Sequence, residues 1–145
     1  MRMTFHADLG FRTLVYLASA LPRGATIPQI AEAYEVSENH LRKVALHLTK
    51  LGLVNSMRGK GGGLKLAKDP SKIPISWAMR KLESDFAIVE CMGAEPERCV
   101  ITGNCGLQSI LMEALNAWFM VLDSYTLADA IRGSKRLKHL LQIPA

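Results

Sequence analysis

The sequence has no long hydrophobic run, and none approaches the 18 or more apolar residues that a membrane helix requires. The stretch 13–21 ends in an Ala-x-Ala pattern at 18–20, which is typical of a secretory signal. Asp8 and Arg12 lie close before it, and its apolar residues recur with a helical period, so we expect a helix of a folded domain. These features predict a cytoplasmic protein without a membrane anchor.

Cysteine is scarce, and its distribution is uneven. The three cysteines of the 145-residue chain all lie between Cys91 and Cys105. An odd number of cysteines, without a convincing export signal, argues against a disulfide framework. Clustered thiols in a reducing compartment favour metal binding or redox chemistry instead.

Acidic residues are rare in the first half of the chain, where only four occur through Lys68. The net charge is +5 at pH 7, and the basic residues concentrate between Arg42 and Lys68. These are Arg42, Lys43, Lys50, Arg58, Lys60, Lys65 and Lys68. A basic half is typical of a protein that binds a polyanion, although net charge alone does not identify the ligand.

Hydrophobic periodicity predicts three helices followed by a β-hairpin in this basic half. Thr26 and Gln29 form a capping-box pattern before the second helix, and Ser37 is suited to cap the third. Gly52 is placed to end the third helix. The glycine-rich segment 59–63 is typical of a hairpin tip. This order predicts a mainly α fold with a small β-hairpin wing, a winged helix-turn-helix, and assigns DNA contact to residues 37–67.

The second half of the sequence predicts two further parts. A loop-like segment around 85–106 carries the cysteines, and an apolar stripe from Leu107 to Tyr125 predicts a long helix that pairs with a second subunit. A Thr126-x-x-Asp129 cap predicts a short closing helix. We therefore expect a DNA-binding domain at 1–82, a cluster loop at 83–106, and a dimerisation helix with a C-terminal segment at 107–145.

The third helix has the chemistry of a recognition helix. Its outward positions are predicted to be polar or basic, and together with the capping serine they are Ser37, Asn39, His40, Arg42, Lys43, His47 and Lys50. Paired hydrogen bonds from Asn39 suit adenine and those from Arg42 suit guanine. We expect Lys43 and Lys50 to contact phosphates.

The hairpin supplies a second basic element. Arg58 and Lys60 flank its glycines and Lys65 lies on the returning strand. Glycines permit close approach to the DNA backbone or the minor groove, and the basic side chains supply charge.

The cysteine spacing is Cys91-x7-Cys99-x5-Cys105. Structural zinc sites usually use four ligands in close pairs, which this spacing does not provide. Three thiolates favour an iron–sulfur cluster whose remaining ligand is another residue, a small molecule or a partner subunit. Incidental thiols and a thiol redox switch remain alternatives.

Several motifs resemble one family along nearly the whole chain. They are residues 14–18 (LVYLA), 36–41 (VSENHL), 58–64 (RGKGGGL), the three cysteines, and 123–129 (DSYTLAD). The chain resembles the winged-helix iron–sulfur transcription repressors, a family with branches that sense nitric oxide, iron supply or cluster supply.

The resemblance implies a homodimer that binds a palindromic DNA operator. It also implies a [4Fe–4S] cluster in each subunit, a [2Fe–2S] cluster being the alternative, with Cys91, Cys99 and Cys105 as ligands. In the nitric-oxide-sensing branch, the fourth ligand is an aspartate near the N-terminus of the other subunit, which Asp8 matches; His6 is a rival.

Other interpretations stay open. The seven residues between Cys91 and Cys99, with the flanking segments 85–87 and 105–107, are nearer the iron-responsive branch. A cluster-free thiol regulator and a redox enzyme or electron carrier are further classes. No catalytic motif supports an enzyme, and an electron carrier has no need of the wing.

Overall fold

A computed structural model describes residues 2–57, 59, 62–96 and 99–143. Their α-helices and β-strands, in chain order, are α1 (Phe5–Ser19), α2 (Ile27–Ala33), α3 (Glu38–Lys50), β1 (Val54–Met57), β2 (Gly63–Leu66), α4 (Ile75–Leu82), α5 (Gly106–Asp123), α6 (Leu127–Ala130) and α7 (Ser134–Leu140). The predicted mainly α fold with a β-hairpin is confirmed. No helix of the described ranges is long and apolar enough to cross a membrane.

Helices α1, α2 and α3 share one core, which places α3 at the surface of the domain. Leu14, Leu17, Ile30, Leu41 and Leu48 are each fully buried in it. Burying one such side chain contributes about 1.5–3 kcal/mol. The capping box of α2 forms as the sequence predicts, since the Gln29 side chain accepts a hydrogen bond from the backbone of Thr26 at 2.8 Å. Gly52 adopts a φ of 66° where α3 ends, which glycine adopts without strain.

The β-hairpin is fastened to the helical core rather than free. Strands β1 and β2 are antiparallel, with Val54 opposite Leu66 and Asn55 opposite Lys65. The backbones of Ala25 and Leu64 exchange two hydrogen bonds, of 2.9 and 2.7 Å. The segment between α1 and α2 therefore pairs with β2, and it fixes the base of the wing beside α3.

The long helix α5 contacts α4 but leaves most of its surface open. Of its 18 residues, Phe119 is buried, with the Phe86 ring at 4.9 Å and the Arg80 guanidinium at 3.5 Å from its centroid. The remaining apolar side chains of α5 lie half-buried or exposed. The apolar stripe of the sequence therefore divides into a face toward its own chain and a face toward solvent.

The C-terminal segment packs against the core that contains α1. Leu127 of α6 is fully buried and Leu141, just after α7, is 6% exposed, and both belong to the core shared with α1. The Asp129 carboxylate accepts a hydrogen bond from Thr126 at 2.8 Å, so the predicted cap forms. Helix α7 was not predicted, because its seven residues are too few to establish a clear period.

Candidate DNA-binding interface and cysteine loop

Helix α3 presents a polar surface because its apolar residues face the core. Leu41, Val44 and Leu48 are at most 1% exposed. The predicted contact residues on the exposed side are Ser37, Asn39, His40, Arg42, Lys43 and Lys50. Ser37 is the N-cap residue, but its side chain makes no capping hydrogen bond. The residue is exposed.

Arg42 is paired within its own helix. Its guanidinium lies 2.8 Å from the Glu38 carboxylate, one turn earlier, and both side chains are about half exposed. An exposed pair of this kind contributes about 0.3–0.5 kcal/mol. Arg42 can therefore leave Glu38 for a base edge at small cost.

His47 departs from the predicted outward set. It is half-buried, and its Nδ1 lies 2.9 Å from Nε2 of His6 on α1. The pKa of His6 is lowered, first by burial and then by His47, while Glu83 opposes the shift. The structure therefore places His47 between α3 and α1, rather than wholly on the exposed face with Lys43.

Of the three basic residues predicted to contact DNA from the wing, Lys65 lies within the described residues. Lys65 is half-buried on β2, opposite Asn55 of β1. Gly63 begins β2 where no larger residue fits, because a Cβ there would lie 2.7 Å from the carbonyl oxygen of Ala25. Arg58 and Lys60, the other predicted wing contacts, lie outside the described residues.

The three cysteines lie on one segment with little regular structure. Cys91, Cys99 and Cys105 are free thiols, and each is half-buried. Cys105 is the N-cap residue of α5, and the Gln108 side chain donates a hydrogen bond to the carbonyl oxygen of Cys91 at 3.0 Å. Cys91 and Cys105 are thus both attached to the first turn of α5.

The donor set fits an iron–sulfur cluster, because thiolates are the characteristic protein ligands of its iron. The positive end of a helix dipole, as at Cys105, also favours an anionic group. Within the described residues, no three His, Cys, Asp or Glu side chains are grouped closely enough to hold a metal ion.

Asp8, the predicted fourth ligand, lies in the first turn of α1. Its carboxylate is 2.8 Å from the Arg12 guanidinium, and its side chain is 34% exposed. The Asp8 side chain is therefore partly accessible from outside the chain.

Sequence reasoning did not identify Glu83, which joins the cysteine segment to α1. Its side chain accepts hydrogen bonds from the backbone N–H of Thr4 at 2.7 Å and of Ser84 at 3.0 Å. The residue is 7% exposed. Thr4 is 79 positions away, and no local pattern indicates a contact over that separation.

Comparison with known families identifies the type of protein. The profile of the Rrf2 family, described as an iron-dependent transcriptional regulator, matches residues 3–133. The chain belongs to the Rrf2 family. It is also 44% identical to the HTH-type transcriptional regulator NsrR of Bacillus subtilis, with 99% of each chain covered, and 40% identical to NsrR of Oceanobacillus iheyensis, over 99% and 98%.

Solved structures agree with the Rrf2 assignment. IscR of T. potens has a TM-score of 0.74 at 26% identity and covers 95% of this chain and 91% of its own. CymR, the global cysteine regulator of B. subtilis, has a TM-score of 0.69 at 26% identity, with coverages of 90% and 95%. The Rrf2 relatives are named transcriptional regulators, so the protein is a regulator of transcription and not an enzyme.

Proposed function

We propose that the protein is a homodimeric transcription repressor, and that an iron–sulfur cluster controls its binding to a palindromic operator in response to nitric oxide. Cys91, Cys99 and Cys105 hold the cluster, of the [4Fe–4S] type, together with Asp8 of the partner subunit. The observation that carries the proposal is the presence of three free, half-buried thiols on one segment beside α5. The similarity to NsrR supports it.

The exposed face of α5 supports the dimer. Its apolar and small residues recur with spacings of three and four, as in a coiled-coil seam. They are Leu107, Ile110, Ala114, Ala117 and Val121, all exposed. Alanines at the centre of such a seam let two helices approach closely. A dimer on this seam would present two copies of α3 to half-sites about 34–36 Å apart, one turn of DNA.

A charge placed in the seam tests the dimer. We expect Ala117→Glu to give monomers in sedimentation experiments, because two carboxylates would be buried against each other. Asn116→Glu is the matched control, since it adds the same charge to the same helix at an exposed position off the seam. A dimer that survives Ala117→Glu would contradict this interface.

The proposed control depends on the position of Asp8. A bound cluster supplies iron that reacts with nitric oxide, which makes it a detector. Asp8 then has two alternative partners: the metal site of the other subunit, and Arg12 of its own chain at 2.8 Å. In the proposal, the first arrangement favours operator binding and the second does not. Changing from mostly bound to mostly free protein requires about 5 kcal/mol of differential stability.

The cluster itself is tested by anaerobic purification. We expect coloured protein with about four irons in each subunit, and we expect Cys91→Ser, Cys99→Ser and Cys105→Ser each to lose that iron. Colourless, iron-free wild-type protein prepared without oxygen would contradict the cluster and leave a thiol regulator.

One observation favours a second candidate, in which the same architecture senses iron or cluster supply. The seven residues between Cys91 and Cys99 match the iron-responsive branch better. The two candidates differ in the signal that releases DNA, and parallel exposure to nitric oxide and to an iron chelator separates them.

A further inference from the structure

The recognition helix α3 is fastened to the first turn of α1 by two aromatic contacts. Nε2 of His6 lies 2.9 Å from Nδ1 of His47, and the two ring centroids are 5.1 Å apart. The Phe5 ring meets His40 edge-to-face at 5.7 Å. Two side chains of α3 that the sequence assigns to DNA therefore contact α1.

The first turn of α1 is itself held at its start. The Glu83 carboxylate, buried at the end of α4, accepts a hydrogen bond from the backbone N–H of Thr4 at 2.7 Å. Thr4 is the N-cap residue of α1, and its hydroxyl accepts a hydrogen bond from the N–H of Ala7 at 3.2 Å. The turn that carries His6 is thus constrained from both sides.

We propose that His6 is a positioning residue for DNA binding, and that its hydrogen bond to His47 sets the placement of α3 against the rest of the domain. This inference rests on the proposed DNA-binding function but not on the cluster. His47 then acts through His6 rather than as an independent contact with DNA.

The positions of two lysines on α3 explain how the His6–His47 hydrogen bond affects DNA binding. Lys43 lies four residues before His47 and Lys50 three after it, so each lysine is about one helical turn from His47. A hydrogen bond at His47 therefore restrains the segment of α3 that carries both lysines. When the hydrogen bond from His6 is removed, the half-buried ring of His47 is no longer held to α1, and α3 can shift against α1.

A double-mutant cycle tests the coupling. The affinity of anaerobically prepared protein is measured for a duplex selected from a random-sequence pool by the wild type. We expect His6→Ala to weaken binding about tenfold, and His47→Ala to add little once His6 is replaced, because contacting residues are not additive. His6→Gln, which can still hydrogen-bond, restores most of the affinity. Independent effects of His6 and His47 would overturn the proposal.

Two controls keep a general loss of folding from imitating the result. His6→Ala with Lys65→Ala is expected to be additive, because Lys65 lies on β2 and not on the segment of α3 that the histidine pair restrains. His6→Ala is also expected to weaken binding to an unselected duplex less than it weakens binding to the selected duplex.

A DNA-free measurement separates this proposal from the proposed function. We expect His6→Ala to speed amide hydrogen exchange in α3 while exchange in α2 stays unchanged. Unchanged exchange in α3 would overturn the positioning role whatever the DNA result. Faster exchange in α3, in a protein whose wild type selects no duplex, would support the positioning contact and refute the proposed function.

Discussion

Replacing Glu83 tests the link between the cysteine segment and α1. The carboxylate accepts two backbone hydrogen bonds, from Thr4 and Ser84, and it lies at the positive end of α1. A hydrogen bond to a charged group contributes about 1.5–3 kcal/mol. Ser84 is exposed, so water can replace part of its bond. We therefore expect Glu83→Ala to cost about 2 kcal/mol of unfolding free energy, and Glu83→Gln, which keeps an acceptor oxygen, about half of that.

The pH dependence of the unfolding free energy tests the role of the Glu83 carboxylate independently. Burial raises the pKa of Glu83, but the hydrogen bonds from Thr4 and Ser84 outweigh it, and the net pKa lies below the ordinary value of 4.5. A depressed pKa in the folded state stabilises the protein above the unfolded-state pKa, and that contribution is lost as the pH falls through the folded-state value. The difference between wild type and Glu83→Gln should therefore be full near neutral pH and shrink below pH 4.5.

Urea unfolding at a series of pH values measures both effects. For a chain of this length, a loss of about 2 kcal/mol corresponds to a decrease in Tm of about 6 °C. Glu32→Gln is the matched control, because it removes the same charge from an exposed position on α2. Equal stability of Glu83→Ala and wild type, or a difference that does not change with pH, would refute the reasoning.

Three further predictions follow from the site. Gly63→Ala should destabilise the protein by about 1–3 kcal/mol in urea unfolding and weaken DNA binding, because its Cβ would meet a backbone carbonyl at 2.7 Å; Gly52→Ala, with open space around it, should cost only the strain of its positive φ. Arg42→Ala should reduce affinity for the selected duplex more than for random DNA. Lys43→Ala should reduce affinity for both duplexes and lower the salt dependence of binding by about one ion. If the two variants lose equal affinity for both duplexes, the base and phosphate contacts are misassigned. Asp8→Ala should leave the fold intact but make the cluster labile to oxygen, and unchanged cluster lifetime would remove Asp8 from the ligands.

Much of the DNA-binding part was predictable from local patterns. The capping box at Thr26, the glycine at the end of α3 and the alternation around Leu64 are short-range signals, and all three correspond to observed features. The inward side of α3 follows from its period, because Leu41, Val44 and Leu48 fall on one face.

The contacts that connect these parts were not predictable. The pairing of His6 with His47 spans 41 residues and that of Thr4 with Glu83 spans 79. Both depend on how helices pack in three dimensions, which no local period encodes. The stripe on α5 was visible in the sequence, but its division into two faces became apparent only when Phe119 was seen to pack on Phe86 and Arg80.

The central claim is that a cluster held by Cys91, Cys99 and Cys105 controls DNA binding in response to nitric oxide. It is tested most directly by an anaerobic titration of the cluster-bound dimer on its selected duplex, with nitric oxide and an iron chelator added in parallel. The account predicts that a few molecules of nitric oxide per cluster release the DNA, at a time when the chelator has not yet released any. Release by the chelator alone, with DNA retained under nitric oxide, would contradict it.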